Sequence, residues 1–252
     1  IPIILIDMEP QTQETNAKNE TIMIKPVENK NEVQKRIFSG VPEEILNDKQ
    51  LNDAISILPA NYNFEIHKTI WRLREVKKKL EKESLLIALQ FPEGLQMFAC
   101  VISDLLSHFT NSECLIMGDV TFGACCIDDL SAETLGCDFI VHYGHSCLVP
   151  IEETVLKPMY VFVEIMFEME HFTKTMLLNF PDKSINILLM GTIQFNTAIF
   201  VAKEKLEQEG FKNVKVPQDK PRSGGEVLGC TSPALNASSF DKPPIVVFVA
   251  DG

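Results

Sequence analysis

The feature that most limits what this chain can fold into is a series of short apolar runs, each ending in a loop of small residues. Leu115-Ile116-Met117 breaks into Gly118-Asp119-Val120-Thr121-Phe122-Gly123-Ala124-Cys125-Cys126, and Asp128 and Asp129 then offer a helix start. Leu85 to Gln90 runs into Phe91-Pro92-Glu93-Gly94, Phe139 to His142 into Tyr143-Gly144-His145-Ser146, and Ile185 to Met190 into Gly191-Thr192-Ile193-Gln194. Continuous apolar runs of this length suit strands buried on both faces, and amphipathic segments separate them. Strand–helix alternation predicts α/β architecture with parallel sheets and right-handed crossovers, whose chemistry gathers at the carboxyl ends of the strands.

The expected plan is two small repeated parallel-sheet α/β domains behind a disordered N-terminal tail and N-terminal helices. Residues 1–35 are dominated by Asn, Glu, Lys, Gln and Thr after the first few positions, a composition that buries little apolar surface. Short helices are expected over 42–46 and 51–58. A longer one runs over about 66–82, where Ile66, Ile70, Leu73, Val76 and Leu80 share a face. A first α/β domain with its leading helices covers 36–150: strand 85–90, helix 95–109, strand 114–117, a helix from Cys125 to about Leu135, and strand 139–142. A second covers 151–242: strand 160–165, helix 168–179, strand 185–190, a helix ending at Gly210 and strand 214–216, before the loop of Cys230. Residues 243–252 read as the first strand of a truncated third domain. A chain that opens at Ile1 and stops just after the apolar run 245–250 is expected to be a fragment.

Charge narrows the partners. With 23 basic and 35 acidic residues, and a net charge of −12, the chain lacks the clustered positive surface of a general nucleic-acid binder. Lys77-Lys78-Lys79 reads as the solvated face of a helix. No apolar stretch approaches the roughly 20 residues of a membrane span, and Ile1–Ile6 lacks the basic flank of a secretory signal. The seven cysteines are Cys100, Cys114, Cys125, Cys126, Cys137, Cys147 and Cys230. An odd count in a chain of this size argues for a reducing compartment, hence a cytoplasmic location.

Two cysteines stand out as metal ligands. Cys125 follows Gly123-Ala124, which let a bulky inorganic group approach the backbone. Cys230 stands in a similar loop, Gly229-Cys230-Thr231-Ser232-Pro233. Cys126 points elsewhere if the segment is turning into a helix, and Cys100, Cys114 and Cys137 read as core thiols. His142, His145 and Cys147 have ligand character for zinc, but no second cluster completes such a site. The loop of His142, Gly144, His145 and Ser146 therefore reads as a substrate or cofactor contact. Backbone N–H groups at Pro92-Glu93-Gly94, Gly118-Asp119 and Thr192–Gln194 are suited to a carboxylate or a ribose. Neither a G-x-G-x-x-G fingerprint nor a P-loop is present.

The stretches Asn61–Trp71, Phe91–Leu95, the Cys125 loop, His142–Cys147 and Gly225–Pro233 together resemble the eukaryotic first-subunit type of the diphthamide-synthesis family. These are the 2-(3-amino-3-carboxypropyl)histidine synthases, and the similarity extends from about Val41 to Gly252. The resemblance implies three related α/β domains around a central cavity. One cysteine from each holds a 4Fe–4S cluster that leaves one iron open for S-adenosylmethionine as substrate. It further implies cleavage of the bond from sulfur to Cγ, and addition of the 3-amino-3-carboxypropyl group to C2 of a histidine on translation elongation factor 2. The implied partners are a paralogous second subunit in a heterodimer and a small metal-binding electron donor. On this resemblance Cys125 is the first-domain ligand and Cys230 the second-domain ligand, while the third has no counterpart in the chain. The fragment alone is then expected to be inactive or to hold a labile cluster. A non-catalytic scaffold subunit of the same complex and a zinc-binding structural protein are the competing readings.

Overall fold

The computed structural model describes residues 40–118, 127–144, 150–220, 222–228, 232–234 and 240–250, and the backbone of 3–7. After β1 (Ile3–Asp7) come two short helices, α1 (Glu43–Leu46) and α2 (Lys49–Ile55). Asp48 caps α2 by accepting from Leu51 N at 3.1 Å, as a helix start requires. A two-residue strand β2 (Tyr62–Asn63) leads into α3 (Ile66–Lys79), which buries Ile66, Thr69, Ile70 and Leu73.

The first sheet is built from β3 (Leu86–Gln90), β4 (Glu113–Ile116), β5 (Phe139–Tyr143) and β6 (Pro158–Val161), all parallel, in the order β4-β3-β5-β6. A 3-10 turn η1 (Glu93–Phe98) and α4 (Ala99–Thr110) follow β3, so the single expected helix over 95–109 begins as a tighter turn. Period-two alternation divides the side chains of β3 and β5 between two faces. Ile87, Leu89 and Val141 pack with α3 and α4, whereas Ala88 and Ile140 pack with Met117, Ile127 and Ala132 of α5 (Asp129–Thr134). Helices cover both faces, which is why these strands read as unbroken apolar runs.

The expected strand over 160–165 is divided. Val163 sits at φ 56 and is fully buried, a backbone conformation no β-branched residue can hold inside a ladder. β6 accordingly ends at Val161 and belongs to the first sheet, after the 3-10 turn η2 (Ile151–Glu153). β7 (Glu164–Ile165) turns away to pair antiparallel with β2. The second unit thus begins later than residue 151.

That unit contains α6 (Met169–Asn179), β8 (Asn186–Gly191), the 3-10 turn η3 (Ile193–Phe195), α7 (Asn196–Gln208), β9 (Asn213–Lys215) and β10 (Ile245–Ala250). Its sheet is parallel, in the order β1-β10-β8-β9. One expectation is corrected here. Residues 245–250, read as the opening of a third domain, instead pair with β8 from Ile245↔Ile187 to Val249↔Gly191. On the outer edge of β10, Ile3–Asp7 pairs in register from Ile3↔Val246 to Asp7↔Ala250. Pairing partners so distant along the chain leave no local signature, since backbone hydrogen bonds do not depend on the side chain.

The two sheets repeat one plan. β3–η1–α4–β4 and then β5 correspond to β8–η3–α7–β9 and then β10, with β1 standing where β6 stands in the first sheet. One continuous core joins them, with Ile87, Leu89 and Val141 in the same cluster as Ile187, Leu189 and Val247.

Candidate functional site

Parallel strands deliver their ends to one side of a sheet, and those singled-out residues that the structure describes stand at or just beyond strand ends. In the first unit β3 ends at Gln90, and Phe91 stacks flat on Tyr143 at the end of β5, with ring centroids 4.5 Å apart and planes 8° apart. Burial pushes the Tyr143 hydroxyl well above the usual phenol range, so it stays protonated. Gly144 follows at φ 75 and donates its N–H to Val161 O at 2.8 Å. A Cβ there would lie 2.8 Å from Leu95 Cδ1 and 2.9 Å from Pro92 Cγ. Gly144 therefore lies close against Pro92 and Leu95, and only glycine fits at this position.

Glu93 and Gly118 meet in a different way. Both line an open cleft of about 420 Å³, together with Gln96, Ala99, Cys100, Ile116 and Met117. Glu93, Gly94 and Gly118 are exposed. Cys100, read as a core thiol, is exposed as well. α4 turns Ala99, Ile102, Leu105 and Leu106 inward, which leaves position 100 on the outer side of the helix. Cys114 is partly buried and Cys137 buried, and burial raises both thiols above their ordinary range, with Asp138 adding to the rise at Cys137.

His142, also read as a site residue, is buried within β5. Gln90, His142 and Tyr160 are register partners across β3, β5 and β6, forming a lateral row near the carboxyl end of the sheet. His142 Nδ1 lies 2.9 Å from Gln90 Oε1, and its ring meets Tyr160 edge-on at 5.5 Å. Gln90 Oε1 also accepts from Asp128 N at 3.4 Å, at the N-cap of α5. Gln90 escaped the sequence reading because it looked like the last residue of an apolar strand. A lone amide closing the run Leu85–Leu89 was the available signal.

In the second unit β8 ends in a tight backbone weave. Gly191 N donates to Gly225 O at 2.9 Å, Val227 N to Gly191 O at 2.8 Å, and Thr192 N to Val249 O at 3.1 Å. A Cβ on Gly191 would stand 2.4 Å from Val249 O, so the crossing requires glycine. Thr192 Oγ1 and Gln194 Oε1 are buried without a hydrogen-bond partner among the described residues, as is Gln90 Nε2 in the first unit. Buried polar atoms are nearly always paired, and three orphans at strand ends are what a polar ligand would satisfy.

Asp119, Cys125, His145, Ser146 and Cys230 lie outside the described residues. In chain order Cys125 falls between β4 and α5 and Cys230 between β9 and β10, equivalent connections of the repeat. Among the described residues no three His, Cys, Asp or Glu side chains come together as a metal site. No helix among them is long and apolar enough to cross a membrane.

Fold and site together define a repeated parallel α/β protein with polar groups gathered at its strand ends. Residues 91–252 match the family described as "Putative diphthamide synthesis protein". Proteins named 2-(3-amino-3-carboxypropyl)histidine synthase subunit 1 are 52% identical over 219 residues in Saccharomyces cerevisiae and 51% over 219 residues in Danio rerio. The same-named protein of Dictyostelium discoideum is 49% identical over 216 residues. These alignments cover 86%, 86% and 84% of this chain but 49%, 54% and 44% of those relatives, so the chain spans about half their length. The chain belongs to the diphthamide-synthesis family. In fold it is similar to Dph2 from Pyrococcus horikoshii solved with a 4Fe-4S cluster, at a TM-score of 0.56 and 24% identity over 73% of this chain and 52% of that one.

Proposed function

We propose that this chain is part of the first subunit of an S-adenosylmethionine-dependent 3-amino-3-carboxypropyl transferase. The acceptor is a histidine of elongation factor 2, and the setting is the cytoplasm. Cys125 and Cys230 supply two thiolates to a 4Fe–4S cluster. The observation that carries this reading is their occurrence in equivalent connections of the two repeated units. Thiolates suit an iron–sulfur cluster, and fewer than four leave iron open to a substrate. When bound and reduced, the cluster supplies the electron that cleaves the bond from sulfur to Cγ.

The chain's own residues bind and orient. Pro92, Glu93, Gly94 and Gly118 belong to the first-unit loops, with His142 and Gly144 at the end of β5. Thr192 and Gln194 offer buried polar atoms from the second, and Asp119, His145 and Ser146 extend the same loops. The protein's part in such chemistry is to fix geometry and keep water from the reacting group. The relatives' designation as subunit 1 supports a paralogous partner. A small metal-binding protein is the electron source in this reading.

Anaerobic loading of the chain with iron and sulfide, alone and with the paralogous subunit, tests it. A broad absorbance near ~400 nm with acid-labile sulfide is expected. Cys125→Ala and Cys230→Ala should each lower the iron content, and Cys100→Ala should not. Equal iron in all variants would leave the chain as a scaffold subunit, and stoichiometric zinc without sulfide would make it a structural zinc protein.

A further inference from the structure

Gln90 is 1% exposed and lies where β3 meets β5, facing His142, which is also 1% exposed. Which atom of the amide faces which neighbour follows from chemistry. The backbone N–H of Asp128 can only donate, so the atom it meets at 3.4 Å is the carbonyl oxygen. That oxygen is also 2.9 Å from His142 Nδ1, so Nδ1 carries a proton, and in the neutral ring Nε2 is the acceptor. The amide nitrogen of Gln90 is then left over. It is buried and has no hydrogen-bond partner among the described residues, although a buried amide donor without a partner is destabilising. Tyr160 extends the row on the far side of His142 and packs against the apolar cluster that contains Ala88 and Ile140.

We propose that Gln90 is a ligand-binding and positioning residue: its carbonyl oxygen fixes His142 as the Nδ1-protonated tautomer and ties it to the N-cap of α5, while its Nε2 donates to an oxygen of the bound small molecule. This rests on the proposed use of S-adenosylmethionine, whose carboxylate and ribose hydroxyls are the oxygens that could accept. One side chain thus couples three elements, β3, β5 and α5, to the ligand.

Three variants of the cluster-loaded chain decide it. Gln90→Glu keeps the acceptors for Asp128 N and His142 Nδ1 but has no amide donor. Gln90→Met keeps the volume and removes both functions. His142→Gln serves as the assignment control. Long-range ¹H–¹⁵N correlation spectra of the five histidines should show His142 protonated at Nδ1 in the parent and in Gln90→Glu, and at Nε2 in Gln90→Met. S-adenosylmethionine should bind about tenfold or more weakly to both Gln90 variants, the loss expected when one buried hydrogen bond is removed. Methionine, which has the carboxylate, and 5′-methylthioadenosine, which has the ribose, locate the accepting oxygen by which of them loses affinity in Gln90→Glu. Equal affinity for S-adenosylmethionine in the parent and Gln90→Glu overturns the donor role, and an Nε2-protonated His142 in the parent overturns the positioning role. A parent that binds none of the three compounds defeats the proposed function and the donor role together, while the tautomer still decides the positioning role.

Discussion

Pro92 and Thr192 hold the same backbone conformation, φ −68° and ψ 160° against φ −74° and ψ 162°, each at the point where a strand gives way to a 3-10 turn. Their side chains have nothing in common. Proline supplies the angle through its ring, whereas Thr192 is held there by its N–H bond to Val249 O at 3.1 Å. The two units therefore aim their loops alike by different means.

Gly144 should be the least replaceable residue of the first-unit loops. Alanine there would combine a left-handed backbone, costing ~1–2 kcal/mol, with contacts under 3 Å to Leu95 and Pro92. Gly118→Ala meets nothing within 4 Å. Chemical denaturation should show a clear loss for Gly144→Ala and almost none for Gly118→Ala; matching midpoints would mean that Pro92 does not rest on Gly144.

The basic run on α3 has a structural task at one end. Arg74 Nη2 and Nε donate to Phe109 O at 3.0 and 3.3 Å, and Lys77 Nζ donates to Thr110 O and Asn111 O at 3.1 Å each. These bonds satisfy the last carbonyls of α4, where a positive charge also suits the helix dipole. Arg74→Ala should cost about 1 kcal/mol in urea unfolding. Lys79→Ala, for which no such bond exists among the described residues, should cost nothing measurable.

Acid should weaken the N-terminal helices through His67. Burial lowers its affinity for a proton below the ordinary value of 6.5, with Asp48 opposing, and Nε2 lies 2.8 Å from Asn52 Oδ1. The folded state keeps this ring neutral, while the unfolded chain takes up a proton first. The contribution is thus present above pH 6.5, starts to fall below that value and is lost as pH drops through the lower value of the folded state. His67→Gln should flatten the fall in unfolding free energy as pH drops from neutrality to below 6.5. An unchanged slope would place the acid sensitivity elsewhere.

Thiol chemistry should separate the described cysteines. Cys100 is exposed on the cleft, whereas burial raises Cys114 and Cys137 and so suppresses the reactive thiolate. Brief alkylation of the native chain at pH 8, followed by peptide mass mapping, should label Cys100 ahead of the other two. Urea should abolish the difference. Early labelling of Cys114 would contradict its place between α4 and the sheet.

Much of this was legible in the linear order of residues. The runs 85–90, 139–142 and 185–190 are too short for helices and too apolar for exposed strands, so their burial between helices followed from composition alone. Pro92, Gly144 and Gly191 announced breaks, because only such residues allow the backbone to turn or cross so closely. The stretches around Cys125 and Cys230 pointed to the family without any coordinates. The class of elements, the position of the loops and the two thiols worth testing were therefore readable without coordinates.

Tertiary structure alone decided which strand lies beside which. β10 joins β8, and β1 joins β10, because ladder hydrogen bonds are made between backbones and carry no side-chain address. The face on which Cys100 falls was set by packing, because Ala99, Ile102, Leu105 and Leu106 of α4 take the inner side and leave position 100 outside. Gln90 became a candidate only when the register of β3 and β5 set its carbonyl against His142 and left its nitrogen buried without a partner among the described residues. Burial and pairing of a polar group are properties of its surroundings, and those are assembled from strands far apart in the chain.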